Sequence, residues 1–412
     1  MSLTLLWLLL PIAALSGYLA AKKSMRKEGV LPKNLSSSKD YLTGLNFLLN
    51  EQPDKALDLF IKLLEVDSDT VETHFALGSL FRRRGEVDRA IRIHQNLIAR
   101  PDLSRAHRLQ ALLELGHDYL RAGVLDRAEA LFQELVGLKA HMRLSLECLI
   151  DIYQQESDWD KAIQTAIQFE RYTNESMASI IAHYYCELAE QASMQAQPEQ
   201  MNRYLKQALN ADPKSVRAQL LQAKQAFDAK DYKAAIADYL RVKTRNPEFT
   251  SEILLPLAQC YEACGEQKQF HDFLHRCLQE ELGAVICATF SSELSQYIND
   301  PNDIRTIAEQ LEKRPSVHAI YALIEFCYKE SSGVEAEHLM LLRDVVKQLL
   351  RKEAAYYCEN CGFPAQALYW LCPSCKHWDT IKPFSGFRVI PEEFPNTLAV
   401  PHQLSHTPVP LD

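Results

Sequence analysis

Gly78-Ser79-Leu80-Phe81, followed seven residues later by Asp88-Arg89-Ala90, carries the pattern that organises this chain. Asp-Lys/Arg-Ala recurs as Asp54-Lys55-Ala56, Asp88-Arg89-Ala90, Asp126-Arg127-Ala128 and Asp160-Lys161-Ala162, at intervals of 34, 38 and 34 residues. Nine residues before each alanine stands an aromatic: Phe47, Phe81, Tyr119 and Tyr153. Twelve before it stands a glycine in three of the four cases, Gly44, Gly78 and Gly116. One such residue is ordinary helix core, but four registers in phase are a repeat. Small residues such as Gly44 and Ala56 suit the crossing of two antiparallel helices, with Phe47 and Phe60 filling the space on either side. The aspartate in the first turn of the second helix meets the positive end of the helix dipole. Pro213 and Pro247, again 34 apart, each close a helix-like stretch.

Such a unit resembles the tetratricopeptide repeat, two antiparallel helices joined by a short turn. Units are expected near 41–68, 75–102, 113–140, 147–170, 182–213, 216–247 and 251–280. Extra residues between the second and third, and around 171–181, predict lengthened loops or helices. Beyond 281 the pattern weakens, with further helices expected over 302–314, 316–329 and 335–352. Arrays of this kind offer binding surfaces rather than reaction centres. Arg82-Arg83-Arg84 ends a first helix, as a solvated terminus or a contact for an acidic partner. His271 and His275 share a helix face near Cys277 without a third ligand at fitting spacing, and Cys260 and Cys264 read as packing.

The composition agrees. In 412 residues, 47% hydrophobic content excludes a disordered chain. A net charge of −9 argues against nucleic acid as a partner of the whole chain. Only 13 glycines and few β-branched runs favour helices. No Ser-His-Asp ordering, HExxH, P-loop or dinucleotide fingerprint is present, so an enzyme is not expected.

Residues 3–21 (LTLLWLLLPIAALSGYLAA) contain no charge and are followed by Lys22, Lys23, Arg26 and Lys27. At about 1.5 Å per residue the run matches the thickness of a bilayer core. A secretory signal would place its basic residues before the apolar stretch. Here they follow it, which predicts a retained transmembrane helix over 1–21 with the body on the cytoplasmic side. Residues 22–38 read as a basic juxtamembrane linker, 39–352 as the repeat array, and 388–412 as a Pro-rich, extended or disordered tail.

Eleven cysteines cannot all pair. Seven are scattered singly, which suits a reducing compartment. The other four, Cys358, Cys361, Cys372 and Cys375, form C-x2-C-x10-C-x2-C within a module over 353–387. Two residues between cysteines let one turn aim both sulfurs at a single ion, and Gly362 relieves crowding after the first turn. Four thiolates suit one ion of zinc or rubredoxin-type iron, in a structural or an electron-transfer role. So small a module depends on its metal to fold. Phe363, Tyr369, Trp370 and Trp378 exceed what it can bury within itself, so docking on the last helices of the array is expected.

Taken together, the expected fold is all-α: a tetratricopeptide helical solenoid with an N-terminal transmembrane helix and a small rubredoxin-like or zinc-ribbon module. This arrangement resembles the lipopolysaccharide assembly protein B family of Gram-negative bacteria. The resemblance is carried by Arg84-Gly85-Glu86-Val87-Asp88-Arg89-Ala90-Ile91-Arg92-Ile93-His94-Gln95, by His183-Tyr184-Tyr185-Cys186-Glu187-Leu188-Ala189, and by the end module through Trp378 and Ile381-Lys382-Pro383. It covers residues 1 to about 385, and the tail departs from it. The resemblance implies an inner-membrane regulator of lipopolysaccharide synthesis that helps the membrane protease FtsH degrade the deacetylase LpxC. It also implies other lipopolysaccharide assembly or regulatory membrane proteins as partners, metal ligation by Cys358, Cys361, Cys372 and Cys375, and packing of the module on the array. Two other functions stay open: a scaffold for another envelope-assembly complex, or a rubredoxin-type electron carrier.

Overall fold

The computed structural model describes residues 71–279, 317–350 and 354–383, with isolated positions between 42 and 55 and between 305 and 312. The expected membrane helix, the basic linker, the tail after 387 and most of the first repeat lie outside the described residues. Among the described residues no helix is long and apolar enough to cross a membrane. The chain divides into two compact units, Met1–Asn174 and Glu175–Asp412.

In the first unit the helices are α1 (Val71–Arg83), α2 (Val87–Ile98), α3 (Arg105–Arg121), α4 (Leu125–Gly137), α5 (Met142–Glu156) and α6 (Trp159–Thr173). They pair as α1 with α2, α3 with α4 and α5 with α6. The repeated small residues stand at the crossings. A Cβ on Gly78 would lie 2.4 Å from His94 Nε2, and one on Gly116 would lie 2.8 Å from the Phe132 ring. Ala90, Ala128 and Ala162 are completely buried. Asp88, Asp126 and Asp160 occupy the first turns of second helices. The repeated basic residue stacks on the repeated aromatic. Arg89 lies 5.4 Å over Phe81, Arg127 5.5 Å over Tyr119, and Lys161 5.1 Å over Tyr153. Each rung ties the end of a first helix to the start of its second.

In the second unit the helices are α7 (Ala178–Met194), α8 (Pro198–Ala211), α9 (Val216–Asp228), α10 (Tyr232–Arg245), α11 (Thr250–Ala263), α12 (Gln267–Gln279), α13 (Val317–Glu330) and α14 (Val334–Leu350). A 3-10 turn, Pro247–Phe249, precedes α11. First helices α7, α9 and α11 lie side by side. Leu254, Leu257, Cys260, Leu274 and Cys277 sit fully buried in the core around α11 and α12.

One turn serves the six pairs from α1 to α12. Its left-handed residue is Gly85, Gly123, Ser157, Ala196, Lys230 or Gly265, with φ between 55° and 81°. The next residue's N–H returns to a carbonyl five positions back: Glu86 to Phe81, Val124 to Tyr119, Asp158 to Tyr153, and likewise through Glu266 to Tyr261. This is the Schellman closure, whose accepting carbonyl belongs to the repeated aromatic in the first unit. α9 begins at Val216 as expected, whereas the other first helices begin earlier than the repeat count suggested, by eight residues at α3, which Ser104 caps by accepting from the His107 N–H at 3.2 Å. The sequence landmarks mark helix crossings, which lie well inside the first helices. The lengthening expected between the second and third units is thus in α3 itself.

Arg82 is neither solvated nor free for a partner. It turns inward to Glu114 and Asp118, both at 2.7 Å, and Asp118 in turn holds the Nδ1 of His94. Asp118 and His94 are fully buried. These ions fasten the first pair of the unit to the next.

Candidate metal centre

Three short strands frame the C-terminal module: β1 (Tyr356–Cys358), β2 (Pro364–Ala365) and β3 (Ile381–Pro383). They form an antiparallel sheet in the order β2-β1-β3, with Tyr356 opposite both Ala365 and Pro383. A knuckle follows β1. The Cys358 N–H donates to the Phe363 carbonyl and the Gly362 N–H donates to the Cys358 carbonyl, both at 2.9 Å. The second knuckle repeats this, with Cys372 N–H to the His377 carbonyl at 2.9 Å and Lys376 N–H to the Cys372 carbonyl at 3.0 Å. Gly362 (φ 74°) and Lys376 (φ 57°) hold the same left-handed position. Glycine meets that requirement without steric cost, and lysine does not.

The knuckles bring all four sulfurs within 4.8 Å of one another. Cys358 and Cys375 stand 3.6 Å apart, and Cys361 and Cys372 stand 3.8 Å apart. Metal–thiolate bonds of about 2.3 Å in a tetrahedron place sulfurs about 3.8 Å from each other, so the donor set fits one ion. The polar surroundings favour the thiolate at Cys375 and Cys358, whereas burial raises the thiols of Cys361 and Cys372. Burial pushes the Cys375 thiol up, but the Asn360 side chain, the His377 N–H and the neighbouring thiols outweigh it and bring it down to about 6. Burial likewise works against ionisation of Cys358, where the contact with the Thr380 hydroxyl and hydrogen bonds from the backbone of Cys361 and Asn360 win. Burial takes Cys372 up to about 12 in the absence of positive charge. A cation among the sulfurs reverses that balance.

The module rests on the first helices of its own unit. Trp378 stacks on His183 with ring centroids 4.8 Å apart, meets Tyr184 edge-on at 5.9 Å, and lies 5.9 Å under the Arg217 guanidinium. Trp370 stacks on the fully buried Phe249 at 5.7 Å, and Lys382 lies 4.7 Å over the same Phe249 ring. His183 Nε2 is 3.1 Å from Asp379 Oδ2, which also accepts from the Ser179 hydroxyl at 3.3 Å. Burial raises the Asp379 carboxyl, yet the His183 hydrogen bond and charge, with Lys382, hold it below the ordinary aspartate range. At the other edge the Tyr356 hydroxyl donates to Glu252 Oε1 at 2.7 Å. Glu252 is raised by burial despite that bond. Arg217 is 4% exposed and pairs with Glu187 at 2.9 Å and Glu190 at 2.6 Å.

Docking on the last repeat helices holds at α11, where Leu368 and Trp370 pack and Tyr356 reaches Glu252, but it extends to earlier helices and does not use Phe363 or Tyr369. The face that receives the module is formed by α7, α9, the 3-10 turn and α11, because His183, Tyr184 and Phe249 there offer flat partners for the two tryptophans. Phe363 packs instead inside the module beside the cysteines, and Tyr369 remains 49% exposed. His271, His275 and Cys277 join no metal-ligand group; among the described residues the four clustered cysteines alone do. The other six described cysteines are in no disulfide, and burial lifts Cys148 and Cys186 to about 12 and Cys260 to about 11. Cys148, Cys186, Cys260 and Cys277 are buried and serve as packing, and Cys327 is exposed. His183, Arg217, Phe249, Glu252 and Asp379 were not picked out from the sequence as docking residues. The one available signal was that His183-Tyr184-Tyr185-Cys186-Glu187 matched a family outside the repeat positions.

The comparisons with known proteins agree with these parts. A family described as the rubredoxin metal binding domain matches residues 356–383, and the tetratricopeptide repeat matches 73–106 and 197–248. Lipopolysaccharide assembly protein B of Escherichia coli K12 is 38% identical over 93% of this chain and 99% of its own length. The protein of that name from Haemophilus influenzae is 34% identical over 93% and 98%. A tetratricopeptide repeat protein from Parabacteroides merdae aligns with 58% of this chain and 89% of its own at 16% identity and a TM-score of 0.31. At 34–38% identity across nearly the whole of both chains, this protein belongs to the lipopolysaccharide assembly protein B family.

Proposed function

We propose that this chain is a non-enzymatic adaptor in the control of lipopolysaccharide synthesis, which promotes degradation of the deacetylase LpxC by the membrane protease FtsH. Its relatives' role in lipopolysaccharide assembly, spread over 93% of the chain, is the observation that carries the reading. The site chemistry supports binding over catalysis. Four thiolates around one ion leave no open coordination position for a reacting group. The uncharged run 3–21 anchors the chain in the inner membrane, and Lys22, Lys23, Arg26 and Lys27 keep the body in the cytoplasm. Tethering raises the effective concentration of a captured soluble substrate beside a membrane protease. Cys358, Cys361, Cys372 and Cys375 hold iron or zinc, whose contribution is to fold the module and fix it on the helices.

Depleting the protein in its host tests this reading. LpxC abundance is expected to rise with its mRNA unchanged, and a flat abundance rejects the adaptor role. Metal analysis of protein from that host distinguishes the ions: zinc at one per chain rejects an iron-based electron carrier.

A further inference from the structure

The two knuckles are held by different parts of the molecule. The first lies within the sheet: β1 ends at Cys358, which faces Ile381 of β3, and β2 begins just after Phe363. The second is a loop over 370–379, closed by the Asp379 N–H donating to the Trp370 carbonyl at 2.9 Å and by one bridge between Leu371 and Trp378. Its two ends, Trp370 and Trp378-Asp379, are the residues that lie on His183, Tyr184, Phe249 and Arg217. Repeat helices thus do for Cys372 and Cys375 what the sheet does for Cys358 and Cys361.

We infer that His183 is a positioning residue for the metal centre: through Trp378 and Asp379 it holds Cys372 and Cys375 in ligating geometry, so that metal retention and docking of the module on α7 are one equilibrium. A free loop must be ordered before its two thiols converge on an ion, whereas the docked loop is already ordered. The coupling is reciprocal, so the factor by which docking tightens metal binding is the factor by which metal tightens docking. Loss of the ion uncovers an aromatic slot on α7 and the 3-10 turn that this chain's own tryptophans otherwise fill. The inference rests on the four cysteines holding an ion, and it is independent of the proposed partners.

The test uses the full-length chain in detergent, loaded with zinc and challenged with a chromophoric chelator. His183→Ala is expected to release zinc about tenfold faster, within the usual range of coupling between sites. His183→Gln, whose amide can still donate to Asp379, restores part of the loss. Tyr369→Ala, whose side chain is 49% exposed on the module, stays within about twofold of the native rate. Asp379→Asn, on a partly exposed side chain, repeats the effect in smaller form should the alanine variant fail to fold. Stripping zinc from the native chain is expected to speed hydrogen exchange in α7 while leaving α1–α6 unchanged. Native release rates in both His183→Ala and Asp379→Asn at native helix content overturn the inference, and so does unchanged α7 exchange. Zero bound zinc in the native chain removes its premise, separately from any result on LpxC.

Discussion

The three helix pairs of α1–α6 and the three of α7–α12 share a turn but not a fastening. In the first unit every described pair closes with a cation over an aromatic, at Phe81, Tyr119 and Tyr153. In the second, Ala192 and Ala226 occupy the same place in the turns of α7–α8 and α9–α10, α11–α12 keeps an aromatic, Tyr261, and the later pair α13–α14 sets Arg343 5.2 Å over Tyr328 by another route. That tyrosine meets Phe270 at 6.1 Å. What the second unit has instead is the module, whose tryptophans lie on its first helices. A fastening repeated in each pair leaves a period in the sequence. One made a single time, to a distant segment, leaves none.

Removing the metal breaks this comparison most sharply. Structural zinc contributes on the order of 10 kcal/mol to the folding of small four-ligand modules. Cys372→Ser with Cys375→Ser is therefore expected to unfold the module and to loosen α7 and α11, lowering the melting transition of the second unit. Hydrogen exchange of α1–α6 is expected to stay native, and equal loosening of both units defeats the distinction.

Asp118→Ala makes the converse change. Asp118 is fully buried between His94 and Arg82, and its loss leaves the guanidinium of Arg82 paired on one side alone. Breaking such a buried pair costs about 3–5 kcal/mol, here expected in the first unit only. Urea unfolding followed by exchange in each unit reads it, and a change spread over α7–α12 would contradict the separation.

The smallest effect sharpens the comparison inside the module. Lys376 holds a left-handed backbone that Gly362 holds in the other knuckle. Lys376→Gly is expected to stabilise the metal-bound module by about 1 kcal/mol, since a side chain in that conformation is strained. Thermal denaturation at saturating zinc measures it, and a destabilised variant would show that the lysine side chain contributes more than its backbone strain removes.

Much of this molecule was legible in the residues, for identifiable reasons. Gly78, Gly116, Ala90, Ala128 and Ala162 recur because close helix crossings demand small side chains at a fixed spacing. The four cysteines were equally plain, because a tetrahedral thiolate site needs paired ligands on tight turns. The basic member of each Asp-Lys/Arg-Ala triplet was visible, but its stacking on the aromatic eight residues earlier was not, since a surface lysine or arginine has many uses. Arg82 was misleading for the same reason: three arginines at a helix end read as solvated until Glu114 and Asp118 are seen beside the first.

Periodicity and ligand spacing therefore determined the helix pairs and the sulfur cluster, because each is dictated by contacts between residues close in the chain or alike from repeat to repeat. Tertiary structure alone decided where the module sits. Trp378 reaches His183 across nearly two hundred positions, and Tyr356 reaches Glu252 across 104. Which flat ring receives a tryptophan depends on the packing of α7, α9 and α11 side by side, a surface that exists only once those helices have assembled.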